Sequence, residues 1–211
     1  MDQSLKLPER LLVPLFPLPN AILFPGTRLP LYIFEPRYKT MINDSLASGQ
    51  YLSVTLESER DGRNQANEIS GLGQITQVER LPNNEKNIVV TGLVRVRILK
   101  EVSDDPYITA EVAPLTETIP DSDTEERLFA QLRDSVKSWL FRMRAGNIRQ
   151  LAELGGVRSL DQLCDFFGAY MLDEMRMRQR LLEELDVARR AEQIIHLVKT
   201  ELYRYSAPFE N

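Results

Sequence analysis

Side chains that ligate metals or act as nucleophiles are scarce in this sequence. The chain has 211 residues with one cysteine, Cys164, and one histidine, His196. A structural zinc site needs several such ligands and a disulfide needs two cysteines, so we expect neither, and we expect no cofactor. Because a single cysteine fits a reducing compartment, we predict a cytoplasmic protein. Cys164 stands among Leu160, Leu163 and Phe167 and is predicted to be a small core residue.

The motifs that bind nucleotides or position a catalytic serine are also missing. A Walker phosphate loop needs a lysine directly after a glycine, and no lysine of this chain follows one. No serine stands in a Gly-x-Ser-x-Gly elbow. Gly71-Leu72-Gly73 has Thr76 where a dinucleotide fingerprint needs its third glycine, so we interpret it as a bend or bulge in a strand. We therefore predict no catalytic residue.

Basic charge and long apolar runs are in short supply as well. Lys and Arg number 26 against 31 Asp and Glu, a formal net charge of −5. An acidic chain lacks the basic surface that phosphate neutralisation requires, so we do not expect nucleic acid as a partner. The most apolar stretch, residues 11–31, contains five prolines and cannot form a membrane helix. The first residues show no secretory signal, and we expect no membrane association.

Residues 1–118 have the alternation and turn signals of β-structure. Short strands are predicted at residues 11–16, 28–34, 51–56, 71–81, 87–91, 93–102 and 107–115. One helix is expected after Glu35, because Pro36 suits a first helical turn and Gly49 suits a helix end. The polar residues 57–70 have no apolar period and are predicted to be an exposed, mobile loop.

Residues 119–211 are predicted to be a helical subdomain. Asp123 followed by Glu126 fits the start of a helix, and Ser159 followed by Gln162 fits the start of another. A short helix is expected around residues 148–154. A long final helix is expected from about Glu174 to Tyr203, which would extend for about 45 Å. The chain is thus predicted to be α+β, with a β-barrel-like subdomain followed by helices.

Several motifs, in order along the chain, resemble the N-terminal substrate-recognition domain of Lon-type ATP-dependent proteases. They are Val13–Leu18 with Phe24–Gly26, Pro30–Tyr38, Gly71–Ile75, Ile88–Val96 and Gln179–Val187. This resemblance implies a PUA-like β pseudo-barrel, a C-terminal helical bundle, and the binding of unfolded or degron-bearing polypeptides. Since the sequence shows neither the ATPase nor the serine–lysine proteolytic domain of Lon, we expect a stand-alone, non-catalytic binding module. A chaperone or an ATP-dependent protease is a further expected partner.

The candidate peptide-binding residues follow the proline-rich opening. They are Phe16, Leu18, Phe24, Leu31, Tyr32, Phe34, Glu35, Arg37 and Tyr38. Clients would dock by apolar side chains and by main-chain hydrogen bonds along an exposed strand edge. The alternative for the charged pair is structural: Glu35 or Arg37 would hold the loop by a salt bridge, for instance to Arg95. The alternative for the prolines is that they only fix edge strands and turns.

Two other functions are compatible with the sequence. A PUA-like fold also suggests an RNA-binding module, and this rests on fold analogy alone. A free-standing peptidase would need a nucleophile and a base that meet only in space. Salt-dependent retention of RNA would indicate the first, and cleavage of casein without ATP would indicate the second.

Overall fold

The computed structural model describes residues 7–60, 63–143 and 154–204. The chain divides into two compact units. The first, which we call the barrel unit, comprises Met1–Thr116 and Glu174–Glu183. The second, the helical unit, comprises Glu117–Asp173 and Glu184–Asn211. Helix Met175–Glu183 therefore belongs with the barrel unit, although it comes late in the sequence.

Seven strands form one sheet in the barrel unit. They are β1 (Leu11–Leu18), β2 (Arg28–Ile33), β3 (Tyr51–Arg60), β4 (Arg63–Ala66), β5 (Ile69–Arg80), β6 (Lys86–Ser103) and β7 (Thr109–Pro114). β1 pairs antiparallel with β7 and parallel with β3, so the strands β1-β7-β6-β5-β3 close on themselves. β2 adds to the first half of β6, and β4 adds to the end of β3. The predicted α+β pseudo-barrel is confirmed.

Two of the predicted strand boundaries are wrong. Residues 57–70 are not simply a loop, because Glu57–Arg60 of β3 pairs antiparallel with β4. This ribbon is polar and has no apolar face, so it gives no alternation for sequence analysis to detect. The strands predicted at residues 87–91 and 93–102 are one strand, β6. Gly92 has no side chain and so breaks the alternation that sequence analysis uses, but the strand continues through it.

Helix α1 (Pro36–Ala47) supplies one apolar face to the barrel core. Pro36 occupies the start of the helix, as predicted, where its missing N–H leaves no bond unmade. Tyr38, Met41 and Ile42 are buried along this face at helical spacing. They join strand residues in a single core cluster, among them Phe16, Leu52, Val54, Ile75, Ile88 and Val90.

The connection from β1 to β2 is a tight turn followed by a bulge. Phe24, Pro25, Gly26 and Thr27 form a type II turn, with Gly26 at φ 69° and Thr27 N donating to Phe24 O at 3.2 Å. Gly26 N donates to Gly92 O, and Gly92 N donates to Thr27 O, both at 2.9 Å. Two residues therefore oppose one on β6, the pattern of a glycine bulge that bends the chain into β2.

The same connection lies directly against glycines of β5 and β6. A Cβ on Gly92 would lie 2.0 Å from Phe24 O, and a Cβ on Gly71 would lie 1.9 Å from Leu23 O. Only glycine admits this approach of one backbone to another. The register of β5 against β6 also shifts between Leu72 and Gly73. This confirms that Gly71-Leu72-Gly73 marks a strand irregularity.

Four helices complete the described fold. They are α2 (Ser122–Met143), α3 (Leu160–Tyr170), α4 (Met175–Glu183) and α5 (Val187–Arg204). The short helix predicted around residues 148–154 lies almost entirely outside the described residues. α2 begins slightly earlier than predicted, because Asp121 caps it by accepting from Thr124 N at 3.0 Å. None of the described helices is both long enough and apolar enough to cross a membrane.

The single final helix predicted from Glu174 to Tyr203 is wrong, because the segment forms α4 and α5 with a break between them. Asp186 caps α5 by accepting from Arg189 N at 3.1 Å. Thr118 bridges the break, since its N–H donates to Leu185 O and its carbonyl accepts from Val187 N. These bonds come from a distant part of the chain, so the heptad-like pattern could not reveal them.

In the barrel unit, α4 is held by hydrogen bonds to the strands. The fully buried Arg95 donates from Nε to Leu182 O at 2.9 Å, and its guanidinium lies 5.9 Å from the ring centre of Phe24. A cation at the last carbonyls of a helix satisfies acceptors that the helix itself cannot. Gln179 Nε2 donates to Ile69 O of β5 at 2.9 Å.

The helical unit has an apolar core around a buried ion network. Leu132, Phe167 and Ile194 come from three different helices and are fully buried, and Cys164 is buried as predicted. Arg190 is also fully buried, with Nη2 2.5 Å from Glu117 Oε1 and 3.7 Å from Asp165 Oδ1. Its Nη1 donates to Glu184 O at 2.8 Å.

Replacing Gly92 by alanine should destabilise the barrel unit. The new Cβ would displace the carbonyl of Phe24, and overpacking of this kind costs roughly 1–3 kcal/mol. Urea denaturation of Gly92→Ala measures the effect. Gly155→Ala is the control, because no atom of the residues that the structure describes lies within 4 Å of its added Cβ. Equal midpoints for Gly92→Ala and the parent chain would contradict the close approach.

Removing Arg190 should destabilise the helical unit far more than removing its neighbour. Arg190→Leu removes the cation that pairs with Glu117 and with the buried Asp165. Loss of one partner of a buried ion pair costs about 3–5 kcal/mol. Arg189→Leu is the matched control, because its exposed side chain pairs with Asp186 at 3.6 Å at the surface. Thermal denaturation of both variants should show a large fall in Tm for Arg190→Leu only.

Candidate functional site

Three of the nine predicted site residues lie in the barrel core. Phe16, Phe24 and Tyr38 are buried, and the rings of Phe16 and Tyr38 are 4.4 Å apart between centres. Phe24 lies beside the guanidinium of Arg95. Being buried, the three rings offer almost no surface to a ligand.

The other apolar candidates are accessible. Leu18 and Leu31 are half-buried, whereas Tyr32 is 53% and Phe34 is 55% exposed. The rings of Tyr32 and Phe34 stack at 5.6 Å with an interplanar angle of 28°. Alternation along β2 turns Leu31 toward the core and Tyr32 outward. We call Tyr32 and Phe34 the aromatic pair.

The two charged candidates contact each other. Arg37 Nε lies 3.2 Å from Glu35 Oε2, and the Arg37 guanidinium lies 4.5 Å above the ring centre of Tyr38. Glu35 and Arg37 therefore pair with each other, whereas the salt bridge we expected was to a strand residue such as Arg95. Both side chains keep solvent-accessible surface beside the aromatic pair.

The aromatic pair is tied to the turn between β5 and β6. Tyr32 OH donates a short hydrogen bond to Glu85 Oε2, and this bond, followed by desolvation, raises the pKa of Tyr32. Lys39 Nζ lies 3.9 Å from Glu85 Oε1 and donates to Asn83 O at 2.8 Å. Asn83 and Asn84 both have φ 57°, a backbone region that asparagine tolerates better than most residues. The tyrosine ring is therefore held in one position.

Lys86 lies next to this turn and is 3% exposed. Its Nζ donates to Asn84 Oδ1 at 3.1 Å. Burial lowers the pKa of Lys86, and the positive charges of Arg80 and Lys39 lower it further.

A groove of about 450 Å³ adjoins Tyr32 on the sheet. It is lined by Pro30, Leu31, Tyr32, Gln77, Val78, Glu79, Asn87, Ile88 and Val89. Pairing aligns Tyr32 with Asn87 and Glu79, and Asn87 Nδ2 donates to Glu79 Oε2 at 2.9 Å. Sequence analysis missed the lining residues of β5 and β6. Alternation indicates which of them face outward, but it does not indicate that their strands flank β2.

This arrangement offers ring stacking, apolar burial and hydrogen bonding to amide and carboxylate groups. Among the described residues there is no group of three or more His, Cys, Asp or Glu that could hold a metal ion. The chemistry available at the groove is that of reversible binding to an amphipathic or apolar ligand.

The fold and this surface define the class of protein: an α+β binding domain built on a β pseudo-barrel with a helical unit. A family model described as the ATP-dependent protease La (LON) substrate-binding domain matches residues 12–200. The chain therefore belongs to the LON substrate-binding domain family, as its motifs predict. The general role of this family is substrate binding, and no protease domain is evident in this sequence.

Curated relatives match nearly all of this chain. It is 26% identical over 200 residues to a Lon protease of Flavobacterium johnsoniae, covering 91% of this chain and 24% of that protein. It is 28% identical over 197 residues to a Lon protease of Desulfovibrio desulfuricans, covering 91% of this chain and 22% of that protein. The chain thus spans about a quarter of the length of these relatives.

Solved structures share the fold. The N-terminal domain of a Mycobacterium avium complex Lon protease aligns with a TM-score of 0.73 at 20% identity, covering 89% of this chain and 98% of that chain. A Lon N-terminal domain protein from Xanthomonas campestris aligns with a TM-score of 0.63 at 23% identity, covering 88% and 98%.

Tyr107 bonds helix α1, which follows the aromatic pair in sequence, to the rest of the barrel unit. The contribution of this bond to stability should depend on pH. Tyr107 OH donates to Asp44 Oδ2 of α1 at 2.8 Å. Burial, followed by the bond to Asp44, raises the pKa of Tyr107 from 10.0 to about 12. The folded state therefore holds this proton at a pH where the unfolded chain releases it. The stabilisation is complete below about pH 10 and is lost as pH rises through about 12.

Tyr107→Phe should lower the free energy of unfolding by about 1 kcal/mol at pH 7, the usual value of one hydrogen bond. The difference from the parent chain should shrink between pH 10 and pH 12. Urea denaturation at several pH values measures it, and Asp44→Ala should remove the same bond. A difference that stays constant up to pH 12 would contradict the role given to the Tyr107 proton.

Proposed function

We propose that the barrel unit binds segments of unfolded or degron-bearing polypeptides at the aromatic pair and the adjoining groove. The observation that supports this most directly is that Tyr32 and Phe34 are each more than half exposed and stack on each other. Large aromatic side chains that stay together at a surface are typical of binding sites. The family to which the chain belongs is named for substrate binding.

The surface suits a ligand that is bound weakly and without a fixed sequence. Covering the rest of two half-exposed aromatic rings removes roughly 200 Å² of apolar area, worth about 5 kcal/mol before losses. Ordering a flexible client opposes this gain. Five kcal/mol corresponds to a dissociation constant of roughly 0.2 mM, so the expected affinity for one segment that also fills the groove is in the high micromolar range. Because Glu85 holds the Tyr32 ring in place, little of the gain is spent on ordering the site itself.

Clients would then pass to a chaperone or an ATP-dependent protease in the cytoplasm. Support for this part comes from the relatives, which are Lon proteases that match this chain over about a quarter of their length. A pull-down from cytoplasmic extract with the intact chain tests it. A chaperone or ATP-dependent protease should be recovered with the parent chain, and less of it with a variant that lacks the aromatic pair.

Replacing the aromatic pair should weaken client binding about tenfold or more, because central aromatic contacts contribute most of the energy of such surfaces. The measurement is fluorescence anisotropy of a labelled, permanently unfolded protein, such as reduced and carboxymethylated lactalbumin, with the double variant Tyr32→Ser/Phe34→Ser. Leu12→Ser is the matched control, since Leu12 is 66% exposed on β1 of the same unit.

Circular dichroism of each variant verifies that it remains folded. The proposal fails if the parent chain shows no saturable binding at high micromolar concentration. It also fails if Leu12→Ser weakens binding as much as the double variant does.

A further inference from the structure

One side of β2 is paired and the other is not. Among the described residues, β2 pairs only with β6. The hydrogen bond from Gly92 N to Thr27 O shows that the Thr27 carbonyl points toward β6. Because backbone groups alternate in direction along a strand, every second residue after Thr27 also points toward β6. The backbone groups of Arg28, Pro30 and Tyr32 then point to the opposite side, which we call the β2 edge.

The β2 edge presents a short set of backbone groups for pairing. Tyr32 offers an N–H and a carbonyl, and Pro30 offers a carbonyl but no N–H. Side chains flank these groups on both faces of the sheet. Tyr32 and Phe34 lie on the outer face, and the half-buried Leu29 and Leu31 lie on the face toward the core. An added strand would therefore meet apolar side chains above and below its backbone.

The charges at the Ile33 end of β2 select among such strands. Ile33 pairs with Lys86, and Lys86 pairs with Arg80 of β5. The nearby carboxylates already have partners, since Glu85 accepts from Tyr32 and Glu79 accepts from Asn87. The pKa of Lys86 is lowered first by its burial and then by Arg80 and Lys39. An acidic side chain beside Ile33 would be attracted by these cations, and a basic side chain would be repelled.

We propose that the β2 edge takes an extended apolar segment of a client as an added antiparallel strand, with an acidic residue on the N-terminal side of that segment. This inference rests on the proposed function and names its binding mode and ligand class. The antiparallel direction follows from the better pairing of antiparallel strands, and it places the N-terminal end of the client beside Ile33. Main-chain bonds give affinity for many sequences, and the flanking side chains give the preference.

Pro30 gives the edge a second property. Because the centre of the edge lacks a donor, two copies of β2 cannot form a complete ladder with each other. A client strand still finds both groups of Tyr32 and the carbonyl of Pro30. The proline thus disfavours self-association while it leaves the edge open to a client.

Peptides with esters in place of amides test the strand directly, because an ester lacks the N–H donor. The probe is a fluorescein-labelled peptide of two aspartates followed by six alternating valine and threonine residues. Two ester versions each replace alternate amides, so that one removes the donors facing β2 and the other removes the donors facing away. The version that lacks the donors facing β2 should bind at least fivefold more weakly. The affinity of the other version should change by less than twofold.

Charge and direction are tested with two further peptides. Moving the two aspartates to the C-terminal end, or replacing them by lysines, should weaken binding about threefold or more. Equal affinity of all three peptides would overturn the acidic preference and the antiparallel direction.

Pro30→Val tests the β2 edge by changing the protein and leaving the peptide unchanged. Valine suits a strand and restores the missing donor, so the dissociation constant for the aspartate peptide should fall about threefold to tenfold. Sedimentation velocity should also show more self-association. Pro19→Val is the matched control, because Pro19 is exposed and lies outside the strands, and it should change neither quantity.

These outcomes distinguish a failure of strand addition at β2 from a failure of the proposed binding function. If the parent chain binds unfolded protein but neither ester version nor Pro30→Val changes the affinity of the peptide, strand addition at β2 is overturned and the binding function stands. If neither the parent chain nor Pro30→Val binds the peptide or unfolded protein, both are overturned.

Discussion

The contact of the Leu23–Phe24 backbone with Gly71 and Gly92 sets the geometry of the barrel unit. Both carbonyl oxygens occupy space that any side chain larger than hydrogen would fill. The type II turn at Pro25 and Gly26 follows at once, and the bulge against Gly92 then turns the chain into β2. Because β2 begins at this bulge, the direction of its side chains and of its backbone groups is fixed there. The position of Tyr32 is a consequence of this contact.

The surface around Tyr32 combines exposure with rigidity. Exposed aromatic rings usually lose freedom when they bind, and this loss weakens binding. Here the hydroxyl of Tyr32 is bonded to Glu85, and Phe34 stacks on the ring, so part of that loss occurs on folding. Phe16, Phe24 and Tyr38, from the same part of the sequence, are buried and stay out of this surface. Such a surface favours reversible contact with apolar chain segments and has no need of a deep, specific pocket.

The two units use buried arginines in related ways. Arg95 satisfies the last carbonyls of α4, and Arg190 joins Glu117, Asp165 and the Glu184 carbonyl. A buried cation is expensive unless several acceptors surround it, so each arginine determines where those acceptors lie. Both interactions connect residues that are far apart in sequence.

The sequence by itself determined the class of fold, the family and the local elements. Alternation gave most strands, Pro36 gave the start of α1, and the ordered motifs gave the relationship to Lon N-terminal domains. It also selected the segment that carries the aromatic pair. It could not distinguish Phe24 from Phe34, because both are aromatic residues in the same proline-rich stretch, and only packing buries one and exposes the other.

Tertiary structure alone decided the rest. The polar ribbon formed by β3 and β4 and the break between α4 and α5 depend on hydrogen bonds to distant partners, such as Thr118 to Leu185. The groove depends on β5 and β6 lying beside β2, and its edge depends on which way Thr27 points. Periodicity reports which face of an element is apolar, but neighbours and backbone directions arise only when separate elements pack and pair.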